Sequence, residues 1–155
     1  MKKIKILISI YNDWESVFKL LENIDLQIAD LNVEASVLII NDGSTELRSE
    51  INLNLNNLKS VQVINMKENR GHARCYAAGL KYINDKENFD YVIPMDGDGE
   101  DRPEELKLLI DKTNEYSEKV ITADRIKRSE GFFFKFCYLV HKYLTFIFTG
   151  KFIKF

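Results

Sequence analysis

The chain has 155 residues, 45% of them hydrophobic, and this length and composition predict a single domain with a substantial core. The chain has 22 Lys and Arg and 24 Asp and Glu, so its formal net charge is −2 at pH 7. It therefore lacks the overall positive charge that would indicate nucleic acid as a partner. The charge is uneven: seven basic residues and one acid from Arg125 onward give +6, whereas the 15 basic and 23 acidic residues before it give −8.

Strand and helix patterns alternate through the first part of the chain. β-branched runs predict strands over residues 4–10 and 34–40, and the second run ends in the turn signature Asn41-Asp42-Gly43-Ser44. An asparagine-rich patch at residues 52–57 weakens the second of two helical patterns in this part. Apolar residues at helical spacing mark the first helix (Trp14, Val17, Phe18, Leu21, Ile24 and Ile28) and the second (Leu47, Ile51, Leu55 and Leu58).

The same alternation continues to residue 123. It predicts helices over residues 69–84 and 104–116 and strands over residues 61–66, 89–95 and 119–123. Alternation at this spacing is typical of right-handed βαβ units around a mostly parallel sheet. We therefore expect an α/β fold with helices on both sides of the sheet.

Four of the predicted strands end in polar loops, and in a parallel sheet such loops meet at one edge, where α/β proteins bind ligands. At that edge Asp42 could accept hydrogen bonds from a base or ribose, and Arg74 and the helix N-termini could face phosphate oxygens. Neither G-x-G-x-x-G after the first strand nor G-x-x-x-x-G-K-[ST] is present, which disfavours Rossmann dinucleotide binding and P-loop chemistry. The loops lie at residues 11–13, 41–44, 69–72 and 96–101.

The loop at residues 96–101 carries several carboxylates. Asp96 and Asp98, with Gly97 between them, could share one edge of a metal ion, and hard oxygen ligands favour Mg²⁺ or Mn²⁺. An acidic solvated turn, with Arg102-Pro103 opening a helix, is the alternative. The cluster by itself leaves both interpretations open.

Four blocks of the sequence together resemble the successive motifs of family-two glycosyltransferases, which have the GT-A nucleotide-sugar fold. The last two blocks are most similar to the branch related to dolichyl-phosphate-mannose synthase and bacterial polyprenyl-phosphate glycosyltransferases. The resemblance covers essentially the whole chain, with blocks at residues 8–13, 38–45, 69–80 and 95–104.

This resemblance implies a role for the carboxylates. Asp13 and Asp42 would hold the nucleoside, and Asp96 with Asp98 would be the catalytic D-x-D pair. Asp98 would be the more direct ligand of the Mg²⁺ or Mn²⁺ that bridges the diphosphate.

The remaining contacts to the nucleotide sugar are expected from Tyr11, Gly71, Arg74 and Gly97, which lie in the same blocks. Arg125 follows the fifth predicted strand at the same sheet edge and is interpreted as a phosphate contact. The chain also departs from the family pattern, and these departures leave the base open: Ser9 replaces a proline, and Asn41 and Glu46 each replace an aspartate.

The implied activity is metal-dependent transfer of a sugar from a nucleoside diphosphate sugar of UDP or GDP type, with inversion at the anomeric carbon. The resemblance implies a polyprenyl phosphate as the acceptor. The available carboxylates are compatible with it, because a phosphate is already a charged nucleophile and needs little base catalysis. The family continues past Phe155 with an acceptor-side segment, so we interpret the chain as the donor-binding portion of a longer enzyme. A non-catalytic nucleotide-sugar-binding module or partner subunit is the alternative.

We divide the chain into a nucleotide-sugar-binding core at residues 1–128 and a basic, aromatic segment at residues 129–155. The segment predicts a helix that either packs as core or lies on anionic lipid, and aromatic residues on its polar side favour lipid. No run is long enough to span a bilayer, so we expect a peripheral protein at the cytoplasmic membrane face, with a homo-oligomer or subunit interface as the alternative. Lys135 and Lys142 lie opposite the apolar face of this helix (Phe132, Phe136, Leu139, Val140, Tyr143 and Ile147).

Three further residues have less specific interpretations. His72 is at least as consistent with a surface or structural histidine as with a phosphate contact. Cys75 and Cys137 fit no metal spacing or disulfide framework, which favours a reduced intracellular setting, and Cys75 is expected to be a small core residue.

Overall fold

The computed structural model of the chain describes residues 1–46, 53–116, 119–123 and 132–150. They form two compact units, Met1–Ile121 and Thr122–Phe155. None of the helices in these ranges combines the length and the hydropathy that a membrane-spanning segment requires. The elements are β1 (Lys2–Ile10), α1 (Trp14–Ile28), β2 (Val33–Asn41), β3 (Ser60–Asn65), α2 (His72–Lys86), β4 (Tyr91–Asp96), a 3-10 turn (Pro103–Glu105), α3 (Leu106–Glu115) and α4 (Phe132–Thr149).

The strands of the first unit form one parallel sheet in the order β3-β2-β1-β4. β1 is buried on both faces, which explains its nearly unbroken apolar sequence. The register aligns Ile10 of β1 with Asn41 of β2, and Ser9 of β1 with Asp96 of β4. The predicted mostly parallel α/β sheet is confirmed, and its register brings three loop-bearing strand ends side by side.

Helices cover the two faces of this sheet with separate apolar clusters. On one face, α1 and α3 pack on the sheet, with Leu106 and Ile110 of α3 in the same cluster as the apolar stripe of α1. On the other face, Cys75 and Ile83 of α2 pack with Leu7 of β1. α2 lies close to the sheet because Gly79 has no side chain there; a Cβ at this position would lie 2.5 Å from Leu7 Cδ1.

The segment before β3 is held by a buried carboxylate on α1. Asp25 is only 4% exposed, and its oxygens accept hydrogen bonds from the backbone N–H groups of Asn56 (3.1 Å), Asn57 (2.9 Å) and Leu58 (2.7 Å). Burial disfavours the charged form of Asp25, but these N–H donors outweigh it and lower its pKa below the ordinary value.

The helix predicted through Leu55 and Leu58 is therefore wrong over residues 53–58, where the structure has no helix. The N–H groups that would bond to carbonyls four residues earlier bond to Asp25 instead. The rest of that prediction, at residues 47–52, lies outside the described residues.

The fifth strand predicted over residues 119–123 is also wrong, since the structure has no strand there. Val120 is 92% exposed and only Ile121 of this run is partly buried, so the run has little of the packing that a strand needs. β-Branched residues favour strands mainly by packing on a half-buried pleated surface, and without that surface their preference has little effect.

Replacing Asp25 with asparagine should lower the free energy of unfolding at pH 7 by about 1–2 kcal/mol, because an amide accepts fewer of the buried N–H groups. A lowered pKa stabilises the folded state above the unfolded value of about 4, and this stabilisation is lost as pH falls through the folded value. Denaturant titrations should therefore show a difference between parent and Asp25→Asn that shrinks below pH 4. A difference independent of pH would contradict the assigned role of the charge.

Candidate active site

A polar cavity of about 250 Å³ opens at the carboxyl ends of β1 and β4. The end of β1 and the loop that follows it provide one wall, and the first residue of α2 provides another. The acidic loop after β4 completes the cavity. Its lining residues are Ser9, Ile10, Tyr11, Asp13, His72, Asp96, Gly97 and Asp98.

The acidic loop lies directly against β1 because its middle residue is glycine. A Cβ on Gly97 would lie 3.0 Å from Ile10 Cγ2 and 3.1 Å from the Ser9 carbonyl oxygen. The loop is also braced internally: the Asp96 N–H donates to Asp101 Oδ2 at 2.8 Å, and the Glu100 N–H donates to Asp98 Oδ1 at 2.9 Å. These contacts place Asp96 and Asp98 in one cavity with Asp13.

The first turns of α2 contact Asp96 through two aromatic side chains. The Tyr76 hydroxyl donates to the Met95 carbonyl oxygen at 2.7 Å and to Asp96 Oδ1 at 3.3 Å. His72 Nε2 lies 3.5 Å from the same Oδ1, and the His72 and Tyr76 rings meet edge to face at 4.4 Å. Burial and then the nearby charge of Asp96 raise the pKa of Tyr76 above its ordinary value, so its hydroxyl stays protonated and donates.

The donor set of this cavity fits a divalent cation that is shared with a diphosphate. Across the described ranges, no three His, Cys, Asp or Glu side chains come together as a metal-binding group. Mg²⁺ at nucleotide sites is held by one or two carboxylates together with substrate phosphates, rather than by an all-protein cage. Asp96, whose side chain is 45% exposed, and Asp98 supply that number of carboxylates.

The loops after β1 and β2 are joined by Asn12, which has a positive φ of 54°. Its Oδ1 accepts hydrogen bonds from the N–H groups of Thr45 (2.8 Å) and Glu46 (3.1 Å), and its own N–H donates to Ser44 Oγ at 2.9 Å. Asp13, the next residue, caps α1 by accepting from the Ser16 N–H at 3.3 Å. The loops after β1 and β2 are thus a single braced unit.

Asp42 lies beneath the start of α2 and is not among the lining residues. Its side chain is buried, at 3% exposed, and its two oxygens accept from the Arg70 N–H (2.7 Å) and the Gly71 N–H (2.8 Å). Burial opposes its charge, but these two N–H groups and the Cys75 thiol outweigh burial and lower the pKa of Asp42. Asp42 therefore ties the end of β2 to the loop that leads into α2 at His72.

The other residues predicted from the sequence are placed differently. Tyr11, Asp13, Asp96, Gly97 and Asp98 are together in the cavity. Two others do not line the cavity: Gly71 caps the N-terminus of α2 with a φ of 87°, and Arg74 is exposed on α2. Arg125 is not among the residues that the structure describes.

Two polar residues that line the cavity are not assigned a specific role from the sequence. From the sequence, His72 could be a surface residue or a phosphate contact, and Ser9 is notable only because it replaces a proline of the family motif. Ser9 is aligned with Asp96 in the register of β1 and β4, and the signal that could have found it is the position of both residues at the ends of neighbouring strands. Asn12 carries no comparable signal, because its partners lie more than 30 residues away.

Comparison with known proteins gives consistent matches. The family model "Glycosyl transferase family 2" matches residues 5–153. The undecaprenyl-phosphate 4-deoxy-4-formamido-L-arabinose transferase of Photorhabdus laumondii is 30% identical over 137 residues, covering 87% of this chain and 41% of that protein. The chain therefore spans well under half the length of that relative.

Solved structures of S. aureus TarS have the same fold. A structure of residues 1–349 has a TM-score of 0.52 and 21% identity, covering 82% of this chain and 39% of that one. A second TarS structure has a TM-score of 0.54 and 21% identity, and the match covers 82% of this chain and 23% of that one. The same 1–349 fragment in complex with UDP-GlcNAc has a TM-score of 0.52 at 20% identity and covers 82% and 37%. The expected GT-A fold is confirmed.

Proposed function

Because the chain belongs to glycosyl transferase family 2, we propose that it binds the donor of a glycosyltransferase, a nucleoside diphosphate sugar of UDP or GDP type. The observation that carries this proposal is the cavity at the sheet edge, which combines Asp96 and Asp98 with Asp13 and Tyr11. The UDP-GlcNAc complex of TarS, which has the same fold, supports a nucleotide sugar as the ligand class.

Asp96 and Asp98 would hold Mg²⁺ or Mn²⁺ together with the diphosphate, Asp98 more directly. When bound, the cation neutralises charge on the leaving diphosphate. Tyr11, which is half-exposed, would offer a flat apolar ring face to the nucleotide sugar, and Asp13 would hold the nucleoside. Gly97 would allow the diphosphate to come close to the loop backbone, and Gly71, Arg74 and Arg125 would face the phosphates, while Asp42 would act on the nucleoside side.

A polyprenyl phosphate is the acceptor we propose, which is the acceptor class named for the Photorhabdus relative. Its phosphate oxygen is already charged, so it can attack the anomeric carbon without a general base from the protein. One carbon–oxygen bond forms as the bond to the diphosphate breaks, and the configuration inverts. The products are a polyprenyl phosphosugar and a nucleoside diphosphate.

Thermal-shift measurements with UDP-, GDP-, dTDP- and CDP-sugars, each with and without Mn²⁺, test donor binding. The nucleotide sugar with the matching base should stabilise the protein more strongly with the metal than without it, and by about 2.7 kcal/mol when the donor is at a hundredfold excess over Kd. Stabilisation by none of the four would contradict the proposal. Donor binding without transfer to undecaprenyl phosphate would instead identify a non-catalytic module. Such a module is consistent with the fact that the chain covers only 41% of the relative.

We further propose that α4 lies on the cytoplasmic face of a membrane. Residues 132–155 contain four lysines and neither Asp nor Glu. Exposed apolar side chains of this kind would bury themselves in the boundary between headgroups and acyl chains, where lysines meet anionic lipid. Eight large apolar residues of α4 are exposed: Phe136, Leu139, Val140, Tyr143, Leu144, Phe146, Ile147 and Phe148.

Lys135→Glu combined with Lys142→Glu should shift the protein off vesicles that contain phosphatidylglycerol, while donor binding persists. Each lysine near the surface contributes about 1 kcal/mol, so binding should also weaken as salt rises. Lys19→Glu with Lys81→Glu, on exposed faces of α1 and α2, makes the same charge change as a control. A parent protein that fails to sediment with these vesicles at low salt would exclude the membrane and favour a core or subunit interface.

A further inference from the structure

Asp96 is held by a helix that is remote from it in sequence. Tyr76 lies four residues after His72, so both side chains project from one face of α2 toward the end of β4. The Tyr76 hydroxyl reaches both the backbone and the side chain of that strand end, at Met95 O (2.7 Å) and Asp96 Oδ1 (3.3 Å). Tyr76 is half-buried, and Met95 is buried.

These contacts distinguish the two oxygens of the Asp96 carboxylate. Oδ1 accepts from Tyr76 and lies 3.5 Å from His72 Nε2. Within the described part of the chain, Oδ2 receives no hydrogen bond. The Asp96 side chain is 45% exposed at the cavity, so its orientation depends on the contacts to Oδ1.

We propose that Tyr76 is a positioning residue for the cation–diphosphate site: it holds Oδ1 of Asp96 so that Oδ2 is presented to the divalent cation. The proposal rests on the proposed function, since it needs Asp96 to be a metal ligand. Hydrogen-bond partners behind a ligating carboxylate fix its orientation, and their removal typically weakens metal affinity by roughly 10-fold to 100-fold.

Tyr76→Phe removes the hydroxyl and keeps the ring that contacts His72. The test measures Mn²⁺ affinity by the electron paramagnetic resonance signal of free Mn²⁺, with UDP or GDP present according to the base that the protein binds. We expect a Kd for Mn²⁺ that is roughly 10-fold to 100-fold higher in the variant. Tyr82→Phe makes the same chemical change on the same helix, where the ring packs on the second apolar cluster, and its Mn²⁺ affinity should equal that of the parent.

A double-mutant cycle with Asp96→Asn separates positioning from a general structural role. If Tyr76 acts through Asp96, Tyr76→Phe should change Mn²⁺ affinity little in the Asp96→Asn background. An equal loss in both backgrounds, or a lowered melting temperature with unchanged Mn²⁺ affinity, would overturn the proposal. If the parent protein shows no metal-linked nucleotide binding, the proposed function itself is contradicted. If the parent binds Mn²⁺ with the nucleotide and Tyr76→Phe binds Mn²⁺ equally well, only the positioning role of Tyr76 is contradicted.

Discussion

Replacing Asp98 with asparagine should abolish the metal-dependent part of nucleotide-sugar binding while leaving the melting temperature of the free protein nearly unchanged. Asp98 is exposed in the loop after β4, and the Glu100 N–H that bonds to its Oδ1 can bond equally to an asparagine oxygen. The free energy of unfolding should therefore change little. The cation loses a charged oxygen ligand, and a neutral amide is a much weaker ligand for Mg²⁺ or Mn²⁺.

Thermal-shift titrations with the matching nucleotide sugar, at several Mn²⁺ concentrations, measure this effect. The parent should be stabilised in proportion to the logarithm of Mn²⁺ concentration, and Asp98→Asn should not. Asp30→Asn is a matched control, since Asp30 is an exposed aspartate between α1 and β2, at the opposite edge of the sheet. An equal metal response in Asp98→Asn and parent would show that Asp98 is part of a solvated turn only.

Asp42→Ala should have the largest effect on the fold. It removes the acceptor of the Arg70 and Gly71 N–H groups at the start of α2. These two hydrogen bonds to a charged acceptor are only partly buried, because Arg70 and Gly71 are exposed, and their loss should lower the free energy of unfolding by about 2–4 kcal/mol. Denaturant unfolding measures this loss, and Asp42→Asn, which keeps one acceptor oxygen, should lose less. Equal stability of all three proteins would contradict the bracing role.

The same substitution tests whether Asp42 acts on the nucleoside. If Asp42 contacts the base or ribose, or holds the loops that do, Asp42→Ala should weaken binding of both the nucleoside diphosphate and the nucleoside monophosphate. Calorimetry at a temperature where the variant is folded measures both affinities. Unchanged affinity for both would limit Asp42 to its structural contacts with Arg70 and Gly71.

The elements with continuous local patterns could be predicted from the sequence. β1 and β2 are β-branched runs buried on both faces, and α1 presents a regular apolar stripe to the sheet. Parallel pairing then brings the polar ends of the strands to one edge. The sequence pattern alone is therefore sufficient to group Asp13, Asp96 and Asp98 in one site.

The sequence predictions are wrong where contacts with distant parts of the chain, or their absence, determine the local structure. Residues 53–58 have helical periodicity, but Asp25 takes the backbone N–H groups that a helix would use. The run at residues 119–123 has strand propensity, but four of its five residues are exposed, so it gains little burial. Tyr76 reads as an ordinary helix residue, and only the packing of α2 against β4 shows that it reaches Asp96.

The position of a bound cation relative to the cavity is the sharpest test of whether Asp96 and Asp98 form a cation–diphosphate site. Crystals grown with Mn²⁺ and the matching nucleoside diphosphate should show an anomalous scattering peak within coordination distance of Asp98 and the diphosphate. That peak should lie at the carboxyl ends of β1 and β4, with Asp96 beside it. A nucleotide bound in the cavity with no Mn²⁺ peak near Asp96 or Asp98, or bound at another surface, would contradict it.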